Sequence, residues 1–145
     1  MFNSQSVCNK LNELNILLNT SDVDIVCITE SWLKPTVPDS VIANLDLFTV
    51  WRKDRVGRSG GGVCIITRNL TVTASVVHVQ NIIDDDEAEA EICALDLHYA
   101  LSCIRMICVY RPPASDTCPK AFRSTKLLVS CLSSLCDCSI PVVLV

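Results

Sequence analysis

Four places in this 145-residue chain carry side chains that could act on a phosphate. "DIVCITE" ends on Glu30. A carboxylate at the C-terminal end of a buried strand points into the crevice where α/β sheets bind ligands. One such acid can hold Mg2+, whose other ligands are then water and phosphate oxygens. Taken alone, Glu30 could equally be a solvated surface residue. "MICVYRPP" closes a strand on Tyr110 and Arg111, just before two prolines that fix the exit backbone. A phenol and a planar, bidentate guanidinium suit a phosphate, although packing for the Tyr and solvation for the Arg fit the same spacing. Asn3 precedes the first helical pattern; its amide could orient a metal ligand or a phosphate, or serve as a cap or turn residue. The fourth place is "WRKDRVGRSGGGVCII", residues 51–66, which holds all four glycines of the chain. Arg52, Lys53, Arg55 and Arg58 stand there against Asp54, a local charge of +3. A local field of that kind attracts an anion whatever the total charge.

The elements that must position these groups are legible as patterns. "CNKLNELNILLN" at 8–19 sets Leu11, Leu14, Leu17 and Leu18 on one helical face. "DIVCIT" at 24–29 reads as a buried strand leading to Glu30. "PTVPDS" at 35–40 reads as a loop, and "DLFTVWR" at 46–52 as a strand. "GVCIITR" at 62–68 and "TVTASVVHV" at 71–79 are β-branched and separated by "NL", a hairpin or two consecutive strands. "EICALDLHY" at 91–99 alternates, with Ile92, Leu95 and Leu97 expected on a buried face and a slip at Ala94. "CIRMICVY" at 103–110 is a further strand. "SDTCPKAFRSTKLLVSCLSSL" at 115–135 reads as a helix capped by Asp116 or Thr117, with Pro119 in its first turn. Phe122, Leu127, Val129 and Leu132 are its expected apolar content. "SIPVVLV" begins a last strand. Strands dominate, with a helix near each end, so the class is α/β with a mixed sheet. The glycines at 60, 61 and 62 are expected to serve a tight turn and a close approach to a neighbour. They do not form a nucleotide loop, because no G-x4-G-K-[ST] pattern is present and no helix follows.

Composition supports a single domain over 1–145. Half of the residues are hydrophobic, which argues against disorder. No apolar run reaches the length of a membrane span, and "MFNSQSVCNK" lacks the features of a signal peptide. The expectation is a nuclear or cytoplasmic chain, not secreted and without a membrane partner. Ten cysteines sit mostly inside apolar runs such as "DIVCIT" and "MICVY". There a free thiol acts as a small buried hydrophobe, so no disulfide is expected. Only "CLSSLCDC" approaches zinc-ligand spacing, and no histidine lies near it. The net charge of −4 includes −6 from "DDDEAEAE" at 84–91, leaving +2 elsewhere. That acidic run reads as a solvated turn before the next strand, with a metal role as the alternative. His78 and His98 fall in strands, away from the phosphate-suited positions.

Together, "FNSQSVCNKLNELNILL", "VDIVCITESWL", "FTVWRKDRVGRSGGGVCII", "ICVYRPPAS" and "IPVVLV" resemble the endonuclease domain of non-LTR (LINE-type) retrotransposons. That domain belongs to the exonuclease–endonuclease–phosphatase superfamily, together with the apurinic DNA-repair endonucleases. The resemblance runs in order through nearly the whole chain. It implies part of a four-layered α/β sandwich, two mixed β-sheets flanked by helices, and Mg2+-dependent hydrolysis of a DNA phosphodiester, with Mn2+ as an alternative ion. The partners it implies are target DNA and a downstream reverse transcriptase domain. It assigns Glu30 as the metal-binding glutamate, and Asn3 and Tyr110 as active-site residues. Arg52, Asp54 and Arg55 fall in its "RxDR" segment near a DNA-facing rim, and Arg111 stands beside the phosphate-contacting tyrosine.

The departures are as informative. The family continues "VVLV" with Gly-Asp-Phe-Asn, and later adds an Asp and an Asp-His pair that help activate water. None of these lies in 1–145, and most of the family's first strand is missing upstream. The chain therefore reads as a domain truncated at both ends that keeps one metal carboxylate and part of a phosphate clamp. Phosphodiester hydrolysis also needs a positioned water, a base and cations on the phosphate, so no nicking is expected of this chain alone. Three other readings remain: a non-catalytic nucleic-acid-binding remnant using the 52–58 rim, a phosphatase-type relative acting on small phosphoesters, and an α/β domain with no site.

Overall fold

The structure is a computed structural model that describes residues 1–56, 59–79, 90–111 and 120–145, and the side chains of all of these except 120–124. Its strands form two four-stranded sheets. In the first, β1 (Phe2–Asn3), β2 (Ile25–Thr29), β4 (Val63–Arg68) and β3 (Phe48–Lys53) lie in that spatial order. β1 runs parallel to β2, and the other pairs are antiparallel. In the second, β5 (Thr73–Val76), β6 (Glu91–Tyr99), β7 (Ser102–Tyr110) and β8 (Val142–Leu144) lie side by side, with β8 parallel to β7. A 3-10 turn (Val7–Lys10) runs into α1 (Leu11–Thr20), α2 (Asp39–Ile42) is a single turn, and α3 (Lys120–Cys136) precedes β8.

The period-2 rule divides each strand between two layers. Val26 and Ile28 of β2, Phe48 and Val50 of β3, and Cys64 and Ile66 of β4 face Leu14 and Leu18 of α1. The opposite faces supply Cys27, Val63 and Ile65, which meet Leu95, Leu97, Met106 and Cys108 of the second sheet. The far face of that sheet, with Ile92, Ala94 and Ile107, packs on Leu128, Cys131 and Leu135 of α3. The order is helix, sheet, sheet, helix: the four-layered sandwich that the resemblance implies. Sheets covered on both faces read as near-continuous apolar runs, as "IVCIT" and "VCIIT" do. Cys27, Cys64, Cys108 and Cys131 are buried among these hydrophobic side chains.

Two arginines tie the outer helices to the sheets. Neither α1 nor α3 has a basic residue in its last turn, where a cation would favour the carbonyl end of the helix dipole. Strand residues provide it instead. Arg68 of β4 donates to the Leu18 carbonyl at 3.1 Å and the Ser21 carbonyl at 3.2 Å, and lies 4.8 Å over the Phe48 ring. Arg105 of β7 donates to the Leu135 carbonyl at 3.0 Å while forking onto Asp96 at 2.7 and 2.8 Å.

Several local expectations differ from what is found. Leu127 and Val129 are exposed, and the buried stripe of α3 is Leu128, Cys131 and Leu135, the i, i+3, i+7 spacing of one helical face. Ile92 does not share a face with Leu95 and Leu97. Both faces of β6 are covered, so Ile92 and Ala94 belong to the helix-side layer, and the apparent slip at Ala94 is ordinary alternation. Of the two alternatives for 62–68 and 71–79, the consecutive strands are found: β4 and β5 lie in different sheets, and β5 covers only Thr73–Val76. Asp39 and Ser40 begin the single turn α2, so the loop read at 35–40 is shorter. The caps read at Asp116 and Thr117, together with Pro119 and the acidic residues 84–89, lie outside the described residues. Among the described residues no helix is long and apolar enough to cross a membrane.

Candidate functional site

β2 delivers Glu30 to the end of the first sheet, and the backbone there is unusual. Glu30 has φ +56° and Trp32 has φ +52°, a left-handed conformation uncommon outside glycine and costly for larger side chains. Neighbouring segments hold it in place. The Glu30 carbonyl accepts from the Ser6 amide at 2.9 Å and the Ser4 hydroxyl at 2.8 Å. The Val7 amide donates to the Ser31 carbonyl, and the Ser31 and Trp32 amides donate to the Gly62 and Gly61 carbonyls at 3.1 and 2.9 Å. The strand end is thus clamped on both sides.

This turn aims the Glu30 carboxylate at the second sheet. Tyr110, the last residue of β7, donates its phenol to Glu30 Oε1. The Trp32 indole N–H and, at 3.2 Å, the Gly61 amide donate to Oε2. Burial by itself would raise the Glu30 pKa. The bonds from Tyr110, Trp32 and Gly61, with the Arg55 charge nearby, outweigh it and hold the carboxyl below its usual range. Tyr110 moves the other way: burial and its bond to Glu30 push the phenol up to about 12, so at neutral pH it remains a donor.

Arg55 completes the cluster. Its guanidinium forks onto Glu91, with Nη2 to Oε2 at 3.0 Å and Nε to Oε1, and lies 5.6 Å over the Tyr110 ring. Glu91 opens β6 directly opposite Tyr110 in the antiparallel register. Desolvation disfavours the Arg55 charge, but the Glu91 bond and charge more than compensate and raise its pKa. The glycines make room for this arrangement. A Cβ on Gly61 would lie 2.3 Å from Arg55 Cζ, and one on Gly62 would lie 2.5 Å from Ser31 Oγ. Positive φ at Gly60, Gly61 and Gly62 bears out both expected roles, tight turn and close approach.

The structure brings Glu30, Tyr110 and Arg55 together and places Asn3 on the strand edge beside Thr29. Asn3 Oδ1 accepts from the Gln5 amide at 3.2 Å, the turn role that its sequence left open. Arg52 and Asp54 form a separate unit. Arg52 is ion-paired to Asp39 at 2.9 Å and Asp54 at 3.2 Å, and donates to the Lys34 carbonyl. The side chains of Arg52 and Asp54 are only 15 % and 9 % exposed, and burial raises the Asp54 pKa. Arg52 and Arg55 are committed to carboxylates and Lys53 is exposed, while Arg58 lies outside the described residues. Arg111 reaches away from the cluster to Thr125 of α3, at 2.8 Å.

Sequence reasoning missed two members. Glu91 was counted with the acidic run, although its position at the head of an apolar strand was a usable signal. Trp32 was only a landmark of "TESWL". The described residues offer no group of three or more His, Cys, Asp or Glu able to hold a metal together. One ionised carboxylate, Glu30, fits a hard cation such as Mg2+ that takes one or two carboxylates and completes its shell with water and phosphate oxygens.

No family model and no curated protein matches the sequence. The fold does match solved structures. D. rerio TDP2 complexed with single strand DNA product superposes at TM-score 0.58 with 12% identity, over 95% of this chain and 50% of that one. The human Nocturnin catalytic domain with bound sulfate anion gives 0.55 and 11%, over 95% and 55%. ANGEL2, a 2',3'-cyclic phosphatase, gives 0.55 and 16%, over 90% and 38%. The chain shares with these structures the fold of two mixed β-sheets packed together and flanked by helices. It spans about half the length of these structures or less.

Proposed function

We propose that this chain is the metal- and phosphate-binding half of a Mg2+-dependent phosphodiesterase, the DNA-nicking endonuclease domain of a non-LTR retroelement. The observation that carries the reading is the bond from Tyr110 to Glu30. It joins the C-terminal ends of strands from two facing sheets, where a site carboxylate and a protonated phenol meet at one point. Glu30 is the residue that would hold Mg2+ or Mn2+, and the ion would supply positive charge to the phosphate oxygens. The chain's own groups do the rest. Glu30 stays ionised because three donors stabilise its charge. Tyr110 keeps its proton and can turn that donor to a phosphate oxygen. Arg55 brings positive charge beside both, and Asn3 stands at the adjacent strand end. Among the described residues neither histidine stands at the cluster to serve as the base for the attacking water: His98 is exposed on β6, and His78 lies with Val76, Val77 and Val79 along a separate cleft. We therefore assign target DNA as the substrate and a reverse transcriptase as the expected downstream neighbour, in a nuclear or cytoplasmic setting.

Supercoiled plasmid with Mg2+ tests this directly. The 145-residue chain should leave the plasmid intact, whereas the chain joined to its downstream half should nick it, with loss of nicking in Glu30→Ala. Nicking by the short chain that Glu30→Ala abolishes would overturn the assignment of an incomplete site. A phosphatase acting on small phosphoesters is the second reading, favoured by the fold shared with a 2',3'-cyclic phosphatase. Turnover of small phosphoesters without plasmid nicking would select it. Salt-dependent DNA binding that survives Glu30→Ala but fails in an Arg52/Arg55 double replacement would select the non-catalytic remnant reading.

A further inference from the structure

Trp32 is an anomaly that its bond to Glu30 does not by itself explain. It is a large aromatic residue, 45% exposed, yet firmly held. Its backbone is in the left-handed region at φ +52°, and its amide donates to the Gly61 carbonyl at 2.9 Å. Its indole N–H is bonded to Glu30 Oε2. Gly60 lies close against the ring edge, where a Cβ would stand 3.4 Å from Nε1. An exposed apolar side chain gains nothing from the core, and a strained backbone is retained only where its surroundings over-determine it. The indole has spent its single donor on the site carboxylate, so what it still offers to solvent is π-surface.

We propose that Trp32 is a stacking platform for a nucleobase next to the phosphate held at Glu30. The inference rests on the phosphodiesterase reading and adds a base contact to it. A phosphate bound at Glu30 carries its neighbouring nucleosides past the adjoining residue, and that residue is the fixed indole. Stacking on an aromatic side chain accepts any base, since every base has a π-face. The contact therefore selects nucleic acid over base-free phosphodiesters without selecting a sequence. The same indole is also a positioning residue for Glu30, and Trp32→Phe separates the two roles: it keeps a ring face and removes the N–H.

The test compares two fluorescein-labelled oligomers of equal length and charge, one a single-stranded DNA and the other an abasic deoxyribose-phosphate chain. Each is titrated with the full chain in Mg2+ buffer and followed by anisotropy. Wild type should prefer the base-bearing oligomer by roughly five- to a hundredfold. Trp32→Phe should keep most of that preference. Trp32→Ala should abolish it. Both substitutions remove the N–H that holds Glu30, so any loss of affinity for the abasic oligomer should be shared by Phe and Ala, and only the preference for bases should separate them. Equal binding of both oligomers by wild type, or an undiminished preference in Trp32→Ala, overturns the stacking role and leaves the phosphate site standing. Failure to bind either oligomer overturns the phosphodiesterase reading, and the inference with it.

Discussion

At the scale of single residues, the site is a balance between burial and donors. Glu30 is a carboxylate whose folded pKa lies below its usual value because Tyr110, Trp32 and Gly61 all donate to it. A carboxyl lowered in this way adds stability that is complete above its unfolded pKa. That stability is lost as pH falls through the lowered folded value. Tyr110 has the opposite sign: with its pKa raised to about 12, its contribution is intact below the unfolded phenol value and lost as pH rises through about 12. Tyr110→Phe removes one hydrogen bond to a charged group, so it should cost about 1.5–3 kcal/mol at neutral pH. It should also move the Glu30 titration upward, which carboxyl-carbon NMR would detect. The stability difference from wild type should shrink as pH drops below the carboxylate range. A Glu30 titration unchanged in Tyr110→Phe would show that the phenol does not set its charge.

At the scale of elements, the connection from β3 to β4 explains why the glycines cluster. Arg55 must reach across to Glu91 while the chain turns back into β4, and Gly61 sits in the path of the guanidinium. Gly61→Ala meets both a positive φ and an atom 2.3 Å away, whereas at Gly60 the nearest atom would be 3.4 Å away. Both substitutions lose the ease with which glycine adopts positive φ, worth about 1 kcal/mol. Gly61→Ala must in addition displace Arg55 and weaken its hold on Glu91. Chemical denaturation should therefore show Gly61→Ala as the more destabilising by at least about 1 kcal/mol. Equal losses would mean that Arg55 moves aside without cost.

At the scale of the whole molecule, two polar ties join the sheets beside the site. One is Tyr110 to Glu30, and the other is Arg55, which follows β3, to Glu91 at the head of β6. The second pair is largely buried, with side chains 11 % and 6 % exposed. Removing one partner strands a buried charge. Glu91→Ala should cost about 3–5 kcal/mol in denaturant unfolding, and the double replacement Arg55→Met with Glu91→Leu should recover most of it. If Glu91→Ala were neutral, the guanidinium would have to reach water, and the tie would not be structural.

The sequence by itself determined the layers and the ends of the key strands. "IVCIT", "VCIIT" and "CIRMICVY" read as strands, which places Glu30 and Tyr110 at strand ends. The leucines of "CNKLNELNILL" fix which face of α1 is covered. Local rules reach that far because side-chain period and burial are properties of neighbours in the chain. They do not reach across layers. That Tyr110 would meet Glu30, eighty residues away, and that Glu91 would leave its acidic run to hold Arg55, depended on how two sheets stack and on the β6–β7 register. The charge count of "RKDR" suggested an open basic rim. Tertiary packing committed Arg52 to Asp39 and Asp54, and Arg55 to Glu91, because a partly buried cation is stable only beside a carboxylate. The composition of a segment gives its net charge, but only the fold decides which of those charges remain free to meet a ligand.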